Sequence, residues 1–120
     1  MEKQEVTWQH YFLYFLVFVF ILLANSAFSQ IKVVQFNASW NKTNDVTWIK
    51  KLKDIKSVSY IDVAKDAKSQ KKYKIASVPT IIIFKDGEEV ARFQADLSFV
   101  MVATREEVQE EIDELLMEDF

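Results

Sequence analysis

The sequence predicts an α/β domain, a minimal four-stranded mixed sheet with helices on both faces, preceded by an N-terminal hydrophobic helix. Three observations lead there. The β-branched run Ile81-Ile82-Ile83-Phe84 has the composition of a buried strand. The only proline, Pro79, stands at its entrance and the only glycine, Gly87, just past its end. Asp86-Gly87 is a hairpin turn signal, and Glu88 to Ala95 alternates polar and apolar as a partner strand should. Upstream, strand-like and helix-like stretches alternate, which implies a βαβ crossover before the closing hairpin. At the N-terminus, no charged residue occurs between Glu5 and Lys32, and Tyr11 to Ala24 is an unbroken run of aromatic and aliphatic side chains.

Composition bounds the rest. A chain of 120 residues that is half apolar can bury one modest core. A formal net charge of −3 does not point to nucleic acid. The chain contains no cysteine and a single histidine, His10, so neither a thiol nor a clustered metal site is available and no cofactor is expected.

Taken in order, the N-terminal stretch supports two readings. Ala27-Phe28-Ser29 offers small residues in signal-cleavage spacing before Gln30, although Glu2 and Glu5 replace the usual positive leader. Alternatively, residues 8–28 supply the roughly 20 residues a helix needs to cross a membrane, with Trp8 and Tyr11 at the interface. The expected division is a signal peptide or transmembrane anchor over residues 1–30 and a globular domain over 31–120. Either reading places the domain in an extracytoplasmic compartment, periplasmic or secretory. The lysine-rich stretch from Lys50 to Lys74 would favour the opposite topology, but those lysines belong to a folded domain.

Within the domain, strands are expected at 32–37, 58–62, 80–85 and 88–95, and helices at 45–53, 65–72 and 104–117. Val46, Ile49 and Leu52 recur at helical spacing, with Lys50, Lys51 and Lys53 facing outward. Thr104-Arg105-Glu106-Glu107 has capping-box spacing, and Val108, Ile112, Leu115 and Leu116 form one apolar face behind it. Lysines dominate from Lys42 to Lys74 and acidic residues from Asp86 to Asp119, a pattern that solvated helix faces explain.

Several of these stretches, read together, resemble the thioredoxin family. The resemblance runs through Val33-Val34-Gln35-Phe36-Asn37-Ala38-Ser39-Trp40, then Lys72-Tyr73-Lys74-Ile75, Ser77-Val78-Pro79-Thr80, Phe84-Lys85-Asp86-Gly87-Glu88 and Val90-Ala91-Arg92-Phe93. It implies a thioredoxin-like fold without the family's first strand and helix, and a cis Val78–Pro79 bond beside the active-site turn. It also implies that an extended segment could pair with the backbone at Val78, a form of β-augmentation.

The chemistry that accompanies the fold is missing. Where thioredoxins have Cys-Gly-Pro-Cys after the tryptophan, Trp40 is followed by Asn41-Lys42-Thr43-Asn44. Thiol–disulfide exchange requires a thiolate, and an amide is neither ionisable nor redox-active. The family's buried acid corresponds to Gln35, which cannot shuttle a proton. No enzymatic activity is expected.

Binding candidates remain. The turn Trp40, Asn41, Lys42, Thr43 and Asn44, with Val78 and Pro79, is a candidate contact for a protein partner or peptide. The plainer alternative is that Thr43 or Asn44 simply caps the helix starting near Asp45. Phe99, Val100 and Met101 lie in an apolar stretch, Gln94 to Ala103, that the family pattern does not explain; it either packs over the core or forms a partner patch. Asn37 and Asn41 open N-x-S/T triplets, which are common by chance. The expected function is a redox-inactive, non-enzymatic binding or assembly module, an accessory subunit at a membrane with protein partners. The alternative is a chaperone-like domain that holds extended peptides at the Pro79 groove.

Overall fold

The computed structural model describes residues 9–19 and 30–119. Residues 9–19 form helix α1, and the chain from Gln30 to Glu118 forms a separate compact unit. The signal or anchor expected over residues 1–30 falls largely on residues 1–8 and 20–29, which lie outside the described residues. Among the described residues, no helix is long and apolar enough to cross a membrane.

The domain runs β1 (Ile31–Asn37), a 3₁₀ turn (Ser39–Asn44), a second 3₁₀ turn (Thr47–Lys51), β2 (Ser57–Asp62), α2 (Ala67–Lys72), β3 (Thr80–Lys85), β4 (Glu88–Gln94) and α3 (Arg105–Met117). The strands form one sheet in the order β2-β1-β3-β4, with β1 parallel to β2 and both other pairings antiparallel. The mixed four-stranded sheet matches the expectation. Asp86 and Gly87 both adopt positive φ, 53° and 87°, as a tight hairpin turn with right-handed twist requires.

Alternation along the strands divides the core. Ile31 and Val33 of β1 and Ile81 and Ile83 of β3 face α3, where Val108, Ile112 and Leu115 meet them together with Val46, Ile49 and Leu52. Phe36 and Ile82 point to the opposite face, packing with Val63, Ile75 and Val78, while the rings of Tyr73 and Phe84 close over them. The apolar sequence positions of β1 and β3 thus serve two layers, which is why β3 reads as a continuous hydrophobic run.

Helix ends follow the sequence. Thr104 Oγ1 accepts from Glu107 N at 3.2 Å, capping α3, and Asp66 caps α2 through Ser69 N at 3.0 Å. The end of α2 has no glycine; Lys74 takes the left-handed conformation instead, at φ 53°. Arg92 of β4 holds that end, donating to Tyr73 O at 2.6 Å and Lys74 O at 3.0 Å while pairing with Glu89 at 2.7 Å.

One element differs from expectation. The helix expected over 45–53 is replaced by the 3₁₀ turn Thr47–Lys51, and neither Thr43 nor Asn44 caps it. The cause is a clamp from the neighbouring strand. Gln35, buried in β1, accepts from Val46 N at 2.7 Å through Oε1 and donates to Val46 O at 3.3 Å through Nε2. Both backbone groups of Val46 are thereby satisfied in an extended conformation, with ψ 99°, and cannot join an α-helical ladder. The apolar spacing still buries Val46, Ile49 and Leu52, because a 3₁₀ turn presents nearly the same face.

Candidate functional site

The end of β1 delivers Trp40 to Asn44 to the C-terminal edge of the sheet, beside the bend that carries Pro79. The Val78–Pro79 bond is cis, as the resemblance implied. The loop between β4 and α3 completes the cluster. It is closed by the isolated bridge Ala95↔Met101 and folded around Asp96, whose Oδ1 accepts from Ser98 N (2.9 Å), Ser98 Oγ (2.7 Å) and Val100 N (3.2 Å). The hydrogen bonds to Ser98 and Val100 hold the Asp96 carboxyl below its ordinary pKa.

At the centre is Asn41. Its side chain is buried, and its amide donates to Asn37 Oδ1 at 3.1 Å, Phe99 O at 3.1 Å and, more weakly, Val78 O at 3.4 Å. Asn41 Oδ1 accepts from Asn44 Nδ2 at 2.8 Å. Asn37, wholly buried, in turn donates to Asn41 O at 3.2 Å and makes a short bond to Asp45 Oδ1. Asp45 also receives the Tyr60 hydroxyl; burial first, then the charges of Asp45 and Asp62, push the Tyr60 pKa up. One primary amide therefore links the β1 terminus, the proline bend and the β4–α3 loop.

The structure brings Phe99 to the turn. Its ring meets Trp40 edge to face with centroids 5.2 Å apart, and its backbone is left-handed at φ 65°. A bulky residue in that region carries strain that its surroundings must offset, which the Asn41 bond to Phe99 O helps to do. Trp40 is 64% exposed and Phe99 42% exposed despite this contact. Leu97 at the loop tip is fully exposed, Val100 is 44% exposed and Val102 is 67% exposed. Met101 instead packs against the core, so it separates from Phe99 and Val100. Lys42 is exposed and Thr43 and Asn44 stand at the edge of the turn, where they add polar surface.

An open cleft of about 170 Å³ lies between Trp40, Phe99, Val78 and Ile75. Ser77 lines it, and Ser77 Oγ is a buried oxygen without a hydrogen-bond partner among the described residues. The sequence drew attention to the turn, the proline and Phe99. It also marked Leu97 within the Gln94–Ala103 stretch, but did not reveal Ser77 or Asn37 as members of the cluster. Their common signal is spatial, set by the loop closure at Ala95↔Met101 and the bend at Pro79. Asn37 and Asn41 are both buried, so neither is presented as a glycan acceptor in the folded domain.

The arrangement has no redox chemistry. The turn positions that would carry sulfur hold Asn41 and Asn44, whose amides are spent on hydrogen bonds, and the chain has no cysteine. What the cluster offers is surface: an exposed aromatic pair, flanking aliphatic side chains and an adjoining cleft.

Comparison with known proteins bears on the fold. Thioredoxin-2, described as a component of the malaria parasite protein secretion machinery, is similar at 22% identity and a TM-score of 0.58; the match covers 72% of this chain and 84% of that one. A mutant thioredoxin from Halobacterium salinarum is similar at 21% identity and a TM-score of 0.58, covering 72% and 75%. A designed protein is similar at 25% identity and a TM-score of 0.55, covering 79% and 89%. No curated protein matches the sequence. The thioredoxin family model matches residues 24–112. With that match over most of the chain, a four-stranded mixed sheet with a cis-proline bend, and no cysteine at the turn, the chain belongs to the thioredoxin family as a member without the redox-active cysteines.

Proposed function

We propose that the domain is a non-enzymatic protein-binding or assembly module that uses its former active-site end as a contact surface. It works in an extracytoplasmic compartment, at a membrane, as an accessory subunit of a protein complex. The observation that carries this reading is the exposed apolar group Trp40, Leu97, Phe99 and Val100 on a loop braced from beneath by Asn41. A fully exposed leucine and a half-exposed Val100 in the same loop as Phe99, whose ring meets the exposed Trp40, support a contact surface there. The unbroken apolar run from Tyr11 to Ala24 supports the membrane setting. Thioredoxin-2, the malarial protein of similar fold, is itself described as a component of a secretion machinery, which makes an assembly role a natural one to test.

The test is affinity purification of the full chain from gently solubilised membranes, comparing the parent with Leu97→Asp and Trp40→Ala. A stoichiometric partner recovered by the parent and lost from both variants, with their thermal unfolding unchanged, supports the assembly role. Equal recovery by all three removes this surface from the interface.

A second reading has its own observation. The cleft beside Val78 is lined by Trp40, Ser77 and Phe99 at the cis-proline bend, where an extended peptide could pair with the backbone. In that case the domain holds many peptides weakly. A peptide array would then give broad, micromolar binding that Ser77→Ala and Val78→Asp weaken, while Leu97→Asp does not.

A further inference from the structure

The sheet has two edges, and they are built differently. β4 is an edge of the defended kind: it carries Glu88, Glu89 and Arg92, and its register with β3 slips at Ile83/Phe84, leaving Val90 as a bulge. β2, at the opposite edge, pairs only with β1 among the described residues. Its sequence Ser57-Val58-Ser59-Tyr60-Ile61-Asp62 contains no lysine, proline or glycine and no break in register. Val58 is 37% exposed and Tyr60 is 47% exposed on this strand. A partly apolar edge whose only charge is the terminal Asp62 is a template for another strand.

The hydrogen-bond pattern specifies which groups face outward. Asp86 N donates to Gln30 O across the β1–β3 pairing, so the even-numbered residues of β1 serve β3. The odd-numbered residues serve β2, and Val63 N accordingly donates to Asn37 O. Along β2 the odd-numbered amides therefore turn toward β1, and the amide groups of Val58 and Tyr60 turn outward.

We infer that β2 pairs antiparallel with β2 of a second copy of this chain, about a two-fold axis at Ser59, to form a continuous eight-stranded sheet. The segment is self-complementary in that register. Val58 lies opposite Tyr60 of the second copy, and each pair exchanges two backbone hydrogen bonds through the outward amides. Their side chains share one face as an aromatic–β-branched pair. Ser59 meets Ser59, small against small, at the closely spaced position. Just before the strand, Lys56 sits at a bend with its amide donating to Ile31 O at 2.7 Å, so it is the lysine side chain, beyond the backbone ladder, that reaches toward Asp62 of the second copy, twice by symmetry. Asp62 Oδ1 already accepts from Ala64 N and Ser39 N, which leaves Oδ2 to face the lysine. Lys56 Nζ donates to Gln30 Oε1 at 3.1 Å, an exposed contact it can exchange. A shift of two residues either way loses this charge match, so the sequence favours the pairing centred on Ser59.

The absence of cysteine makes the geometry directly testable. The full chain is purified in mild detergent with one cysteine introduced, as Ser59→Cys or, on the defended edge, Val90→Cys. Under mild oxidation Ser59→Cys should crosslink to a dimer at least tenfold faster than Val90→Cys, because closely opposed antiparallel positions meet disulfide geometry. Sedimentation equilibrium of the parent should give twice the 14.1 kDa chain mass. Ser59→Lys, a change at an exposed position, should weaken association at least tenfold by placing two lysines on the axis, with the folded domain intact by circular dichroism. Equal crosslinking rates, a monomeric parent at 100 µM, or a dimer that survives Ser59→Lys would each overturn the proposal. The last would place the contact elsewhere in the chain, and capture of a different protein's extended segment by a monomeric parent would give the edge to another occupant.

Discussion

Replacing Asn41 by alanine tests whether the former active-site turn has become a structural junction. The substitution removes donors to Asn37 Oδ1 and Phe99 O, both at 3.1 Å, and the acceptor for Asn44 Nδ2 at 2.8 Å. Each such bond is worth about 1 kcal/mol net, and an acceptor left unsatisfied in a fully buried place costs about 1–3 kcal/mol. Asn37 is wholly buried and its Oδ1 loses its donor, while Phe99 O and Asn44 can turn to water in part. The expected loss is about 3 kcal/mol. With a urea m-value of about 1–2 kcal/mol/M, the midpoint of the full chain in detergent should fall by about 1.5–3 M without a change in slope. Asn41→Asp sharpens the test. A carboxylate there would face three oxygens, so its proton is held more tightly folded than unfolded, where the pKa is about 3.9. A group whose folded pKa is raised contributes most below the unfolded value, so this variant should be most stable near pH 4 and lose stability as pH rises. A midpoint shift below about 0.3 M for Asn41→Ala, together with a pH-independent Asn41→Asp penalty, would refute the junction.

Three further outcomes are expected. Gln35→Leu should cost about 2–3 kcal/mol by urea unfolding, because it removes both bonds that hold Val46 and leaves that backbone unpaired in the core. Arg92→Met should cost about 2 kcal/mol and raise amide exchange at the end of α2, since the guanidinium holds Tyr73 O and Lys74 O. The β4–α3 loop should loosen in acid: the Asp96 carboxyl sits below its ordinary pKa because it accepts from Ser98 and Val100, so its contribution is full at neutral pH and lost as pH falls through the folded value. Amide exchange at Ser98 and Val100 measured across that range reads this directly, and Asp96→Asn should abolish the pH dependence.

What the sequence made legible is what short-range physics controls. β3 and its hairpin follow from β-branched residues, one proline and Asp86-Gly87; the cap on α3 follows from Thr104 and its spacing to Glu107. The helix expected over 45–53 failed for a reason no local window contains. Gln35, eleven residues upstream, captures both backbone groups of Val46, and Asn37 takes the Asp45 carboxylate that would have suited a helix start. Similarly, Trp40, Val78 and Phe99 were each visible as candidates, but their meeting was not. It depends on a left-handed backbone at Phe99, a conformation that the residue's own preferences oppose and that its neighbours impose.

The same bonds explain how a redox site can be lost without the site collapsing. Thiolate chemistry requires an ionisable group poised near the surface, partly solvated and reactive. Asparagine has the opposite requirement, since a buried amide must spend both its donors and its acceptor on the protein. At position 41 it spends them on Asn37, Phe99 and Asn44, with Val78 O in reach. Those bonds fix position 41 and hold up the loop that sets Phe99 against Trp40. Gln35 in β1 does likewise, its amide clamping both backbone groups of Val46. Both substitutions trade titratable chemistry for rigidity at one end of the sheet, and a rigid apolar surface loses less entropy on association than a mobile one. The amides that stand where the family's redox groups would be are therefore the ones that brace this end of the domain.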